Sequence, residues 1–221
     1  MGPLVIACAV MIDELRRLLP AGVPTRVLEM SLHTHPDRLH AALRTEIDQA
    51  DGRHDPIILG YGLCGMAAVG LVARHSRLVL PKCDDCIGIF LGSQRRRRDG
   101  LDSDPGTFFL TRGWIGSDSG GPFADYDRLV ERYGRARADR AIGLMVRHYR
   151  RLVHIAMPGE PGLEADRAYA RTMADRFGLA YDDVDGSTAL LEGLLAWDGT
   201  DWGDDVVVAE PGRPLTYEQF R

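Results

Sequence analysis

Two short apolar runs limit what this chain can fold into. Ile57, Ile58 and Leu59 lead into Gly60-Tyr61-Gly62-Leu63-Cys64-Gly65, and Leu78, Val79 and Leu80 lead into Pro81-Lys82-Cys83-Asp84-Asp85-Cys86. Each run has the length of a buried strand, and residues 65–74 between them are long enough for a helix. The segment therefore reads as a β-α-β unit, which implies a parallel sheet. Ligands of open parallel sheets bind outside the carboxyl ends of the strands. A thiol or thiol pair follows each strand at the place where a site would stand.

The same alternation continues on both sides. Residues 4–10 (LVIACAV) are a buried-strand run ending around Cys8, and residues 12–19 are a short helix stopped by Pro20. Residues 25–31 (TRVLEMS) are a second strand that leads into Leu32-His33-Thr34-His35-Pro36. Pro36 suits a first helical position, and Asp37 lies in the first turn, where the dipole favours an acid. Leu39, Leu43 and Ile47 carry that helix to about Ala50. If strands alternate with helices, all four strand ends lie on one edge. They bear Cys8, His33 with His35, Cys64, and Cys83 with Cys86.

Beyond Cys86 a helix through Ile87, Ile89, Phe90 and Leu91 is expected to run into Arg95, Arg96, Arg97 and Arg98. A short aromatic strand follows at Phe108, Phe109 and Leu110, then a Gly/Ser-rich loop over residues 116–122, then a helix over 125–151 broken near Gly134. A second alternation comes next: strand 152–157, helix 163–177, strand 179–184, a helix N-capped by Ser187, and strand 205–209. The expected fold is α/β, with two Rossmann-like lobes and parallel sheets. Residues 1–124 would form the N-terminal lobe with the Cys/His cluster. Residues 125–221 would form a helical connection and a smaller lobe, and the site would face the cleft between the two.

The net charge of −5 gives no general affinity for nucleic acid or membrane. No apolar run approaches the ~20 residues that span a bilayer, and the start lacks a basic segment ahead of its apolar run, so it reads as a first strand. Four cysteines, three of them bunched, are no secreted disulfide framework. A reducing cytoplasm is the expected compartment, and clustered cysteines there point to metal or redox chemistry.

Cys64 and Cys86 lead the candidate metal ligands, followed by His33 and Cys83, with Cys8 at the edge. Thiolates with imidazole suit zinc or iron. Cys64 would start a helix, where the dipole favours the thiolate. Asp85 is placed to orient His33, and Tyr61 to orient a ligand. Gly62 and Gly65 suit close backbone approach to a ligand, and Arg112 a lid wall. Each residue also has a plain structural reading: a buried small thiol, a tight turn, a helix-start acid. Cys83-Asp-Asp-Cys86 is also a CxxC, which admits a thiol-disulfide role, although two acids between the thiols oppose thiolate formation. The pattern G-Y-G-L-C-G is not the dinucleotide fingerprint. The arginine run reads as a solvated helix end, or as a site for a phosphate or corrinoid tail.

Three blocks, LGYGLCG at 59–65, Asp85-Cys86-Ile87 followed by Leu91-Gly92-Ser93, and PGTFFLTRGWI at 105–115, resemble the bacterial and archaeal domain of unknown function 1638 family. Weaker agreement extends to Cys8, to Leu32-His33 and to residues 206–212. The resemblance implies an association with corrinoid-dependent methyltransferase systems, hence a small-molecule substrate in one-carbon metabolism and a possible corrinoid cofactor; the chain is read as a small-molecule metalloenzyme, with a non-catalytic binder or carrier of metal or corrinoid as the alternative. This chain departs from the family at Asp84, where relatives carry His before Asp-Cys, at the extra Cys83, and at Met66, where relatives often carry Asn. If the missing histidine is a ligand, Cys83 or Asp84 takes its place.

Overall fold

A computed structural model describes residues 1–102, 105–115, 117, 121–196 and 204–221. β1 (Leu4–Cys8) is buried along its whole length. A 3-10 turn (Ala9–Met11) leads to α1 (Ile12–Leu18), and β2 (Thr25–Leu28) follows. A second 3-10 turn (Met30–Thr34) delivers the chain to α2 (Pro36–Ala50), which has Pro36 in its first turn and buries Leu39, Leu43, Ile47 and Ala50. β3 (Ile57–Gly60) and β4 (Leu78–Pro81) are wholly buried, as their uninterrupted apolar sequences require. Then come α3 (Cys86–Phe90), α4 (Gln94–Asp102), β5 (Thr107–Leu110), α5 (Tyr126–Tyr133), α6 (Arg135–Val146), β6 (Arg151–Ala156), α7 (Leu163–Phe177), β7 (Ala180–Asp185), α8 (Ala189–Leu195) and β8 (Val206–Ala209).

The first sheet has the order β2-β1-β3-β4-β8; its first four strands are parallel, and β8 pairs antiparallel with β4. The second sheet, β5-β6-β7, is parallel throughout. The fold is thus α/β with largely parallel sheets. Two compact units result. One comprises residues 1–96 and 187–221, the other residues 97–186. In the second unit Leu110, Phe123, Ile142, Leu152, Ala170 and Met173 form a core around the sheet, with Phe108 and Phe123 edge to face at 4.8 Å. Among the described residues no helix is long and apolar enough to cross a membrane.

Three expectations change. Residues 65–74 form no helix; they run through turns, with Cys64, Gly65 and Met66 all left-handed at φ 46°, 67° and 76°. Two glycines within ten residues already disfavour a helix by about 1 kcal/mol each, and a left-handed start cannot nucleate one. The single helix expected after Cys86 is two, α3 and α4, separated around Gly92 (φ 72°). The strand expected at 205–209 closes the first sheet instead of a second lobe, so the compact units do not divide at 124/125. Hydrophobic pattern marks a strand but does not choose its partner. Gly134 does separate α5 from α6, at φ 79°. The loop at 116–122 lies mostly outside the described residues, which omit 116 and 118–120.

Candidate functional site

The chain leaves β1 to place β2 on one side, then returns to place β3 on the other. Where strand order reverses in this way, the crossovers diverge and leave a crevice at the carboxyl edge. A cavity of about 30 Å³ lies there. Its polar lining comes from all four parallel strand ends: Cys8 from β1, Glu29 and His33 after β2, Tyr61 and Cys64 after β3, and Cys86 after β4. Met11 and Leu39 close its apolar side.

The loop after β3 is tied to the loop after β4. Leu63 N–H donates to the Cys83 carbonyl at 2.9 Å, and Cys64 N–H to the Asp84 carbonyl at 2.8 Å. This requires glycine at 62: a Cβ there would stand 2.6 Å from the Cys83 carbonyl oxygen and 2.8 Å from Asp85 N. Pro36 packs over Gly65, and His40 Nδ1 lies 3.0 Å from the Ala67 carbonyl. These contacts hold Cys64 and Met66 in a backbone region that non-glycine residues enter at a cost of about 1–3 kcal/mol each. Cys86 is the first residue of α3, fixed by Asp85, whose carboxylate accepts from the N–H groups of Ile87 and Gly88.

The environment keeps the thiols protonated. Burial pushes the Cys64 thiol up to about 12, with the nearby Asp85 and Cys8 adding to the rise and a Gly62 backbone hydrogen bond opposing it. Burial raises Cys86 well above the usual thiol range, reinforced by Cys64, Asp85, Cys8 and Cys83. Cys8 is raised by burial, partly offset by a Val10 backbone hydrogen bond. Burial, then the three cysteines, also raise the Tyr61 phenol. Tyr61 is 3% exposed, and its Oη has no hydrogen-bond partner among the described residues. His33 stands at the exposed rim, with Nδ1 2.5 Å from the Met30 carbonyl. A carbonyl only accepts, so Nδ1 carries the proton and a neutral ring keeps its lone pair on Nε2.

The cavity therefore brings together Cys8, His33, Tyr61, Cys64 and Cys86. Cys83 is not among its lining residues: its Sγ lies 3.8 Å from the Pro81 carbonyl oxygen, and its Cβ lies 2.9 Å from where a Cβ on Gly88 would stand. Asp85 caps α3, and the carbonyl of Met30 holds His33 in the place foreseen for Asp85. Gly62 meets backbone, and Gly65 meets Pro36. Arg112 pairs with Asp166 at 2.8 Å in the second unit. Arg96 donates to the Leu91 carbonyl at 2.7 Å, as a helix-end arginine does. His35 is exposed, with Nδ1 2.8 Å from Thr34 Oγ1. Without a helix at 65–74, the helix start expected at Cys64 is absent. None of the four cysteines, all of them described, is in a disulfide. Glu29 was not singled out in the sequence; its signal was an acid directly after an apolar strand. Among the described residues, no three His, Cys, Asp or Glu side chains already stand in the arrangement of a formed metal site.

The sequence model of the family described as "Protein of unknown function (DUF1638)" matches residues 27–195, which include His33, Cys64, Cys83 and Cys86 but not Cys8. No curated protein and no solved structure matches the chain.

Proposed function

The chain belongs to the DUF1638 family, and we propose that it is a metal-binding protein of the cytoplasm, a small-molecule metalloenzyme with a Cys/His site. The observation that carries this reading is the meeting of three cysteines from three separate strand ends in one small cavity, with a histidine at its rim. Three sulfurs and an imidazole fit zinc or iron. Cys64, Cys86 and His33 Nε2 would hold the ion, with Cys8 at its edge and the fourth position open to a ligand. A metal-bound histidine ordinarily donates its other N–H to a carbonyl or carboxylate, as the arrangement at Met30 allows. The thiols must rotate together and release protons as the ion binds, because each is protonated in the metal-free fold.

A bound ion of this kind supplies Lewis acidity toward a thiol, water or one-carbon group. The chain's own residues exclude water with Met11 and Leu39 and present the Tyr61 hydroxyl. One-carbon or methyl-transfer metabolism remains the proposed setting. At about 30 Å³ the cavity suits an ion and a small ligand better than a corrinoid macrocycle. The CxxC reading is less favoured: a disulfide-exchange thiol is activated by a lowered pKa, whereas that of Cys86 is raised.

The test is elemental analysis of protein purified anaerobically without a metal-affinity tag. About one transition-metal ion per chain is expected in the wild type and in Cys83→Ala, and loss of the ion in Cys64→Ala and Cys86→Ala. A wild-type protein that binds neither zinc nor iron on reconstitution would sink the reading.

A further inference from the structure

We infer that the cavity takes a small ligand bearing a hydrogen-bond acceptor, roughly two or three heavy atoms in size, and that Tyr61 is the residue that positions it by donating its hydroxyl. This rests on the metal reading above in assigning the ion as the ligand's other partner.

The hydroxyl carries the inference. Tyr61 follows β3 directly, is 3% exposed, lines the cavity, and has an Oη that bonds nothing among the described residues. Buried hydroxyls in native proteins find partners, because leaving one unpaired forfeits its hydration without return. Cysteines line the same cavity, yet Oη makes no hydrogen bond to any of them. The donor is therefore left for something that enters the cavity. The volume of about 30 Å³ is shared by the ion and that partner, and a water alone needs roughly 10–15 Å³ on the same measure, so the partner is a few heavy atoms at most. An ordinary phenol is protonated at neutral pH, so it can donate. The partner must accept, through an oxygen, nitrogen or sulfur lone pair. Phenylalanine would fill the same space and could not do this.

The experiment titrates azide into the cobalt(II)-loaded full chain and follows the visible ligand-field bands, for wild type and Tyr61→Phe. Azide is expected to bind the wild type saturably. In Tyr61→Phe it should bind about tenfold more weakly, the loss expected for one hydrogen bond to a charged partner, while cobalt content is retained and the denaturation midpoint does not fall. Equal azide affinity in the two proteins overturns the inference. So does a Tyr61→Phe variant that loses cobalt as Cys64→Ala does, since the phenol would then serve the ion. If the wild type takes up no cobalt, the metal reading fails, and metal-free protein with ¹³C-labelled tyrosine rings decides the inference. A Tyr61 resonance that shifts with azide supports the acceptor pocket without the ion, and one that does not move overturns it.

Discussion

Gly62→Ala separates the candidate site from its scaffold, and its size can be worked from distances. The added Cβ would stand 2.6 Å from the Cys83 carbonyl oxygen, 2.8 Å from Asp85 N and 3.0 Å from Asp85 Cα, all of them backbone atoms that no rotamer change can move. Ordinary contact begins near 3.4 Å, so the loops must part by about 0.8 Å at the tightest point. That displacement would stretch the Leu63–Cys83 and Cys64–Asp84 hydrogen bonds, now 2.9 and 2.8 Å, to about 3.6–3.7 Å, beyond useful reach. Two backbone hydrogen bonds at about 1 kcal/mol each, with about 1–2 kcal/mol of overpacking strain, give an expected loss of about 3–4 kcal/mol. Urea denaturation measures the loss, and metal content reports the separation of Cys64 from Cys86. Gly143→Ala is the control, because its site lies in α6 and the new Cβ meets no other described residue within 4 Å beyond its own helix backbone. It should gain about 0.5–1 kcal/mol. A Gly62→Ala protein within 0.5 kcal/mol of wild type, with its metal retained, would refute the idea that contact between these two loops sets the site.

Other substitutions test the remaining parts. Asp51 accepts from the N–H groups of Arg74 and His75, both at 2.9 Å, and so anchors the far end of the 61–77 crossover. Burial alone would raise its carboxyl, but these bonds and those from the His75 and Ser76 side chains outweigh burial and hold it at about 2, below the ordinary 3.8. Because the folded value is depressed, the stabilisation is complete above pH 4 and is lost as pH falls through 2. Asp51→Asn should therefore cost about 1–2 kcal/mol at pH 7, allowing for solvent screening, with the gap to wild type closing toward pH 2 in acid-titrated denaturation curves. His33→Ala should leave stability within about 0.5 kcal/mol, since the side chain is exposed, yet weaken metal affinity at least about tenfold in a chelator competition. Tyr61→Phe should stabilise the ligand-free protein by about 1 kcal/mol in urea, by removing a buried hydroxyl that bonds nothing among the described residues.

How far the sequence disclosed all this depends on which interactions are local. β1, β3 and β4 were legible because burial on both faces demands uninterrupted apolar runs, and α2 because Pro36 and the Leu39-Leu43-Ile47 spacing mark its start and its buried face. Cys8, His33, Cys64 and Cys86 were legible as neighbours because parallel strands put their ends on one edge. The crossover at 65–74 was misread because its length suits a helix, while its left-handed start is held by partners distant in sequence, Pro36 and Asp84. The β8 pairing and the boundaries of the two units depend on contacts between residues more than a hundred positions apart, which no local pattern encodes. Cys83 and Cys86 show the same limit within four residues. Spacing makes them a pair, but the turn capped by Asp85 puts Cys86 at the cavity and Cys83 against Gly88. Thus Asp85, foreseen as a chemical residue, acts on the site through the backbone: its two N–H contacts set which of the two thiols the cavity receives.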